Sequence, residues 1–355
     1  MKASNKLTLD SYYDTLFKHY RFGLDITTYD VIYKIRGALL KKQKLVLVFD
    51  IKGCFDRIDR KSLLPHIKPG FRHLFIDLLK ISHTKAGAPR GVPMSPLLVD
   101  MILTNMETSL IKHLYRAKGW QIENDLVTAY NIENTGRYYE PKHRVELIRY
   151  ADNLLLIHEN KELIEDSKIF FETWLKSKGF TLSQEQMRVV HSTEGFDFLD
   201  FHIRHYKNRI KGTYKLKLLN GTEAERKLAN ATHVLRVEPT KENLKAHWRT
   251  ISDIVQRLKA ITAGQLIDAL QPKITRWANH YKTVNCNEAF NKLDYLLSKR
   301  LYQWATRKHP NKGKKWVANK YFCVHNGKSW TFTEKKDGKT LKGYSQHKKR
   351  TRQPT

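Results

Sequence analysis

Short apolar runs alternate with amphipathic stretches over the first half of the chain. The β-branched run "KLVLVFDIKG" (44–53) predicts a buried strand with Asp50 near its carboxyl end. In "VELIRYADNLLLIHE" (145–159), two extended arms surround Ala-Asp-Asn, which predicts a hairpin with Asp152 at its tip. The order of elements predicts an α+β domain with helices on one face of an antiparallel sheet. The other predicted elements are helices over 95–115 and 161–180, strands in 187–192 and 196–206, and a loop or weak hairpin over 119–146.

The pattern changes after about residue 220, where apolar residues recur at helical spacing. Three such stretches predict three amphipathic helices, which would form a small bundle. From Lys312 onward the chain is basic and punctuated by glycine, and 339–355 is predicted to be a mobile tail. The apolar stripes are Leu244, Trp248, Ile251, Val255, Leu258 and Ile261; Ile267, Leu270, Ile274, Trp277 and Tyr281; and Phe290, Leu293, Leu297, Leu301 and Trp304.

Charge is distributed unevenly along the 355 residues, whose formal net charge is +30. Residues 1–200 hold 30 Lys and Arg against 25 Asp and Glu, whereas residues 201–355 hold 35 against 10. A strongly basic surface attracts phosphate polymers and releases their counterions on binding. A Lys-rich surface that only aids solubility is the alternative. Trp and Tyr interleaved with the charges favour a nucleic-acid partner.

Other compositional features narrow the class of protein. Cys54, Cys286 and Cys323 lie far apart without C-x-x-C spacing, which argues against a disulfide framework and against a cysteine-rich zinc site. No apolar run reaches transmembrane length, and the start of the chain lacks the apolar region of a signal peptide. These features predict an intracellular protein with no membrane partner.

Two carboxylates are predicted to meet in the first half of the chain. Asp50 ends a strand and Asp152 occupies a hairpin tip, and these positions can adjoin in an antiparallel sheet. Close carboxylates repel each other unless a cation lies between them, and hard oxygen ligands suit Mg²⁺. Two Mg²⁺ ions about 3.5–4 Å apart would then activate a hydroxyl and stabilise a pyrophosphate leaving group. Alternatively, Asp152-Asn153 is simply a good turn dipeptide.

Several blocks, in order, resemble the reverse transcriptase/maturase proteins encoded by group II introns. This resemblance implies a reverse-transcriptase palm with partial fingers, followed by an α-helical thumb/maturase bundle (domain X). It divides the chain into a fingers remnant (1–40), a palm-like domain (41–218), the bundle (219–311) and a basic C-terminal segment and tail (312–355). The blocks are "YRFGLDITTYDVI" (20–32), "FDIKGCFDRID" (49–59), "GAPRGVPMSPLL" (87–98), "RYADN" (149–153), "GFTLSQEQMRVVHSTEGFDFLDF" (179–201), "ALQPKITRWANHYK" (269–282) and "LYQWATRKHPNKGKKWVANKYF" (301–322).

The resemblance also implies roles for individual residues. Asp50, Asp152 and the position of Asn153 would form the catalytic triad, with Asp50 and Asp152 as Mg²⁺ ligands. Phe55 would reject a ribose 2′-hydroxyl, or it is a core residue. Arg90 and Gly91 would contact nucleotide. No Cys/His-rich segment follows the bundle, so we do not expect the family's endonuclease domain.

Departures from the family pattern concentrate at the polymerase site. Asn153 stands where the family has an acid, and an amide contributes no negative charge to a two-metal site. Arg90 replaces a glutamine and Gln186 replaces a lysine. Asp200 replaces a glycine. The departures predict a degenerate catalytic site in which Mg²⁺ serves as cofactor only if polymerase activity survives.

The basic bundle is predicted to bind group II intron RNA. We therefore expect a maturase-like RNA-binding protein that assists intron folding and splicing. The first alternative is an active Mg²⁺-dependent RNA-directed DNA polymerase that uses an RNA template or a DNA target, and the second is a decayed product without function. The resemblance leaves open whether a separate polypeptide supplies the missing part of the fingers, and whether the protein acts in a bacterial cytoplasm, a plastid or a mitochondrion. The predicted RNA-binding residues are Arg249, Arg257, Lys259, Arg276, Lys282, Lys299, Arg300, Arg307, Lys308, Lys312, Lys314 and Lys315.

Overall fold

A computed structural model places 20 regular elements, 19 of them helices or strands and one a 3₁₀ turn, among the residues it describes. No helix within those residues combines the length and the apolar character that a membrane crossing requires. The chain divides into two compact units, Met1–Leu199 with Arg204–Leu235 and Asp200–Ile203 with Arg236–Thr355. The described residues are 27–51, 103, 106–116, 120–123, 128–131, 145–178, 180, 187–207, 233–325 and 329–348. The predicted domain boundary at 218–219 falls outside them.

A four-stranded antiparallel sheet forms the centre of the first unit, with strand order β4-β5-β1-β6. The strand and the hairpin expected from the apolar runs are both present. The turn of the hairpin joins β4 to β5, and β5 pairs along the whole of β1. The strands are β1 (Leu45–Asp50), β4 (Glu146–Tyr150), β5 (Asn153–His158) and β6 (Met187–His191).

Helices α2 (Met106–Arg116) and α3 (Lys161–Ser177) bury their apolar stripes in the same core as one face of this sheet. The rings of Phe49 on β1 and Phe171 on α3 lie 4.8 Å apart. The other face is buried too, because Val46 and Leu155 are fully covered. The sequence predicted helices on one face only; helix α1 (Thr28–Leu40) packs against β4 in addition.

Side-chain caps define where two helices of this unit begin. Thr27 and Asp30 form a capping box at α1, in which the Thr27 N–H donates to Asp30 Oδ2 over 2.9 Å. Asn160 caps α3 by accepting from the Leu163 N–H over 3.2 Å.

The polar stretch predicted as a loop or weak hairpin contains a two-stranded pair. Its strands are β2 (Trp120–Glu123) and β3 (Thr128–Asn131).

Strands β7, β8 and β9 form a three-stranded sheet in that order. Between β7 and β8 the backbone is left-handed at Leu199 and Asp200, with φ of 48° and 69°. Asp tolerates this region better than most residues do, which explains how it can stand at a position where the resemblance implies glycine. The bounds are β7 (Phe196–Phe198), β8 (Phe201–Lys207) and β9 (His233–Pro239).

Three long helices build the second unit, as the apolar stripes predicted: α4 (Lys241–Arg257), α5 (Ala263–Tyr281) and α6 (Asn287–Lys308). Thr240 and Thr262 cap α4 and α5 with their side-chain hydroxyls. The apolar spacing predicted that α4 would continue for one more turn than it does. Leu258 and Ile261 follow the last residue of α4 and lie in the connection to α5.

The segment after the bundle is folded, and the expectation of a mobile tail from 339 is wrong up to Lys348. Asp294 on α6 holds the end of this segment in place. The Asp294 carboxylate accepts from the Tyr344 N–H over 2.7 Å and from the Ser345 N–H over 2.9 Å. Residues 349–355 lie outside the described residues. The elements are α7 (Lys314–Tyr321), β10 (Phe322–His325), β11 (Ser329–Glu334), β12 (Lys339–Thr340) and a 3₁₀ turn (Tyr344–His347).

Candidate active site and nucleic-acid interface

The end of β1 and the tip of the β4–β5 hairpin lie side by side. Asp50 is the direct cross-strand partner of Asn153. One residue further on, the Ile51 N–H donates to the Asp152 carbonyl over 3.1 Å. Antiparallel pairing therefore brings Asp50, Asp152 and Asn153 together at one edge of the sheet, where the sequence predicted that they would meet.

The hairpin tip has an unusual backbone. Ala151, which precedes Asp152, adopts a φ of 54°, in the left-handed region. For a residue with a Cβ this conformation costs roughly 1–2 kcal/mol. The sequence does not predict this conformation, because alanine has no preference for positive φ. The pairing on both sides of the turn holds the strained residue in place, and this sets the position of Asp152.

The side chains of Asp152 and Asn153 interact directly. The Asn153 Nδ2 group donates to Asp152 Oδ1 over 3.1 Å, and both residues are half-buried. The opposite orientation of the amide would place two oxygens against each other, so the carboxylate itself fixes which way the amide points. Asn153 thus donates a hydrogen bond to Asp152. An acidic residue at position 153 would instead repel Asp152.

Oxygen ligands at this edge fit the chemistry of a bound Mg²⁺ ion. Asp50 and Asp152 are two carboxylates of the kind that Mg²⁺ uses. Among the described residues there is no group of three or more His, Cys, Asp or Glu that could hold a metal. Asp50 and Asp152 would hold the ion, which when bound would polarise phosphate oxygens. The Asn153 amide would first have to turn away from Asp152 to offer its oxygen.

The predicted nucleotide-binding residues Phe55, Arg90 and Gly91 lie outside the described residues, as does Gln186. Their roles stay predictions.

Two histidines near the sheet, His205 and His191, make internal hydrogen bonds. His205 is buried, and its Nε2 lies 3.1 Å from the Leu39 carbonyl oxygen. Burial lowers the pKa of His205 below its usual value. The half-buried His191 bonds through Nδ1 to Thr193 Oγ1 over 2.6 Å. Side chains alternate between the two faces of a strand, so His205 shares a face of β8 with Phe201 and Ile203. The sequence could therefore have predicted that His205 is buried.

Most of the predicted RNA-binding residues are exposed on the second unit. Exposed cations can meet phosphates, which is what a sequence-independent polyanion contact requires. The exposed members are Arg249, Arg257, Lys259, Arg276, Lys299, Arg307, Lys312, Lys314 and Lys315.

The other three predicted RNA-binding residues are half-buried and make internal contacts. The Lys282 Nζ donates to Asn279 Oδ1 over 3.0 Å. The Arg300 Nη2 donates to Gln256 Oε1 over 3.1 Å. Lys308 donates to the Ala260 and Ile261 carbonyls and lies over the Trp304 ring at 4.8 Å. Desolvation lowers the pKa of Lys308, which therefore serves the packing of the bundle as well as its surface charge.

Exposed aromatic rings occur beside these cations, as the interleaving in the sequence indicated. Trp316 on α7 is 39% exposed and has the Lys320 and Lys312 ammonium groups at 4.9 and 5.5 Å from its ring centre. Trp330 on β11 is 58% exposed. Trp316 presents apolar area beside positive charge, a combination that suits unpaired bases.

Two protein-family models match the chain. The model described as reverse transcriptase (RNA-dependent DNA polymerase) matches residues 1–203, more than half of the chain. The model described as group II intron, maturase-specific domain matches residues 244–322. The chain belongs to the group II intron reverse transcriptase/maturase family. In this family's terms, the antiparallel sheet with its helices is the palm, and α4 to α6 belong to the maturase domain.

Similar proteins include the group II intron-encoded protein LtrA of Lactococcus lactis subsp. cremoris. It is 24% identical over 227 residues, which cover 49% of this chain and 37% of that protein. The chain thus spans little more than a third of this relative. Solved structures with some likeness are telomerases of Candida tropicalis (TM-score 0.40, 13% identity, 84% of this chain and 52% of that one) and Candida albicans (TM-score 0.36, 14% identity, 88% and 52%).

Proposed function

We propose that this reverse transcriptase/maturase-family chain acts mainly by binding group II intron RNA and favouring its folded, splicing-competent form. The RNA itself would perform the transesterifications. A binder stabilises a fold through its higher affinity for that fold, so the protein needs no chemistry of its own. The observation that carries the proposal is the set of nine exposed cations in the unit that contains the match to the maturase-specific domain.

The contact made by Asn153 supports a reduced role for polymerase chemistry. Its amide occupies one oxygen of Asp152, and the position contributes no negative charge. Electrostatic stabilisation of the transferring phosphate is usually the largest catalytic contribution in such a site. Losing one of its charges weakens both ion binding and that stabilisation. RNA binding by the helical unit does not depend on this charge.

A binding and splicing assay tests the proposal. Labelled group II intron transcript is titrated with the full chain, with and without excess unrelated RNA, over a series of salt concentrations. We expect a salt-dependent affinity with a component that survives the competitor. We also expect faster splicing at low Mg²⁺, where the RNA alone folds poorly. Equal, weak binding to every RNA, without any effect on splicing, would contradict the proposal.

A second candidate function is Mg²⁺-dependent RNA-directed DNA polymerisation. The juxtaposition of Asp50 and Asp152 at the sheet edge favours it. Primer extension on an RNA template separates the two candidates. Robust extension by the parent chain would make polymerisation its main activity. Extension that appears only in the Asn153→Asp variant would support RNA binding as the main role.

A further inference from the structure

A cavity of about 160 Å³ lies between α4 and α6, within the helical unit. Lys259, Arg300, Arg307 and Lys308 contribute four positive charges to its lining. Trp304 forms part of the wall and is only 4% exposed. The cavity therefore combines concentrated positive charge with a wall that offers no open aromatic face for a base to stack on.

Arg300 is the inner group of this cavity. Its Nη2 donates to Gln256 Oε1 over 3.1 Å and to the Ser252 carbonyl over 3.4 Å. Its Nε is buried and has no hydrogen-bond partner among the described residues. A buried donor on a charged group costs folding free energy unless an acceptor satisfies it. The cavity beside Arg300 is where an acceptor from a ligand would do so.

The remaining cations divide into a wall and a rim. Lys308 donates to the Ala260 and Ile261 carbonyls, so it adds positive potential while its ammonium group is already engaged. Lys259 and Arg307 are exposed and flank the opening. Arg307 lies two helical turns beyond Arg300 on α6, so the two guanidinium groups follow one face of the helix.

We propose that this cavity binds a backbone phosphodiester of RNA, with Arg300 as the inner donor and Lys259 and Arg307 holding the phosphates on either side. The inference rests on the proposed function and gives it a site. Arg300 Nη2 already donates to Gln256 and Ser252, so Arg300 would offer a phosphate oxygen its other guanidinium N–H groups, including the unsatisfied Nε–H, as charge-assisted donors. Rim cations outside the cavity suit a polymer, because neighbouring phosphates of the same strand come within their reach.

Charge-matched double variants test the rim. Lys259→Gln with Arg307→Gln removes two exposed charges at the opening, and Lys245→Gln with Lys292→Gln removes two exposed charges of α4 and α6 that do not line the cavity. We expect the rim variant to bind intron transcript about tenfold more weakly than the control variant. Its slope of log affinity against log salt should also be shallower by about 1 to 2, since each lost phosphate contact removes roughly 0.7–0.9. Equal losses in the two variants would overturn the proposal.

A charge-conserving variant tests the inner donor. Arg300→Lys keeps the net charge but cannot place N–H donors where the guanidinium group does, and we expect about fivefold weaker RNA binding or more. Substituting inorganic phosphate for chloride at constant ionic strength should weaken RNA binding by the parent more than by Arg300→Lys. Thermal unfolding of each variant shows whether it is folded; if Arg300→Lys is not, the rim pair decides.

The outcomes separate this inference from the proposed function. If the parent chain shows no competitor-resistant binding to the intron transcript, the proposed function fails. If the parent binds and every cavity variant binds like its control, the cavity proposal alone fails. If inorganic phosphate stabilises the parent against heat while the variants keep full RNA affinity, the cavity takes free phosphate, which overturns its assignment to RNA.

Discussion

The side-chain amide of Asn153 donates a hydrogen bond to the carboxylate of its neighbour Asp152 over 3.1 Å. The same Asn153 pairs across the sheet with Asp50. A neutral donor therefore lies between two acids at the edge where the family relationship implies a metal site. This hydrogen bond engages one oxygen of Asp152 without a cation, whereas an acid at position 153 would repel Asp152 and favour a cation at the same edge.

We predict that Asn153→Asp makes the stability of the chain depend on Mg²⁺. Without divalent ions, the lost hydrogen bond and the added repulsion should lower the free energy of unfolding by about 1–2 kcal/mol. Millimolar Mg²⁺ should recover most of that loss, because an ion bound only by the folded state stabilises it. Urea unfolding with and without Mg²⁺ measures both effects.

Asn160→Asp is the matched control for this prediction. It makes the same chemical change at the N-cap of α3, where Asn160 accepts from the Leu163 N–H. Asp caps a helix as well as Asn does, and its charge is favourable at a helix N-terminus. We expect no loss of stability and no response to Mg²⁺. A Mg²⁺ response of the same size in both variants would contradict the assignment of the ion to the hairpin tip.

The palm could be predicted from sequence because its strands carry strong local signals. Leu47 and Phe49 belong to a β-branched and apolar run that is too short for a helix, and the hairpin arms flank a turn dipeptide. The meeting of Asp50 with Asp152 followed from the antiparallel order alone. The φ of Ala151 did not follow, because neighbouring strands impose it on a residue that has no preference for it.

The C-terminal half was predicted less well, for two physical reasons. Leu258 continues the apolar spacing of α4 although the helix has ended, since no glycine or proline marks the end and the loop also packs inward. Tyr344 is fully buried although it stands in a lysine-rich stretch without periodicity. Its burial depends on contacts with α4 and α6 that are distant in sequence, so the segment resembles a tail until the fold is known.

We predict that His247 makes the helical unit less stable in mild acid. His247 stacks on Trp277 at 4.9 Å and bonds to the Tyr344 hydroxyl over 2.7 Å. Burial lowers its pKa to about 4, whereas the unfolded chain has the ordinary value of 6.5. The unfolded state therefore binds the proton first, and stability should fall as the pH drops from about 6.5 to about 4, by roughly 1–3 kcal/mol.

The variant His247→Phe isolates this effect, since it keeps an aromatic ring beside Trp277 but cannot take up a proton. It should be less stable than the parent at pH 7, because the Tyr344 hydroxyl loses its partner. Its stability should nevertheless change less between pH 7 and pH 4. Chemical unfolding followed by tryptophan fluorescence at several pH values measures the slope. Identical slopes for variant and parent would remove His247 as the cause.

We predict that Gly343→Ala destabilises the C-terminal segment through Asp294. A Cβ at position 343 would lie 2.6 Å from Asp294 Oδ1. That oxygen accepts from the Tyr344 N–H, so the carboxylate cannot move aside without breaking hydrogen bonds. The expected cost is about 1–3 kcal/mol. In a double-mutant cycle with Asp294→Ala, the alanine at 343 should cost much less, and strict additivity would contradict the contact.

We predict that Lys308 and its neighbour Arg307 differ sharply in their effect on stability. Lys308→Met loses the donor to the Ala260 and Ile261 carbonyls and the ammonium over Trp304, and should cost about 1–2 kcal/mol. Arg307→Met makes the matching loss of charge at an exposed position and should stay within about 0.5 kcal/mol of the parent. Thermal unfolding of both variants in the same buffer measures the difference. Because each variant removes one positive charge, a shared electrostatic effect would lower or raise both midpoints together, and equal shifts would show that Lys308 acts only as surface charge.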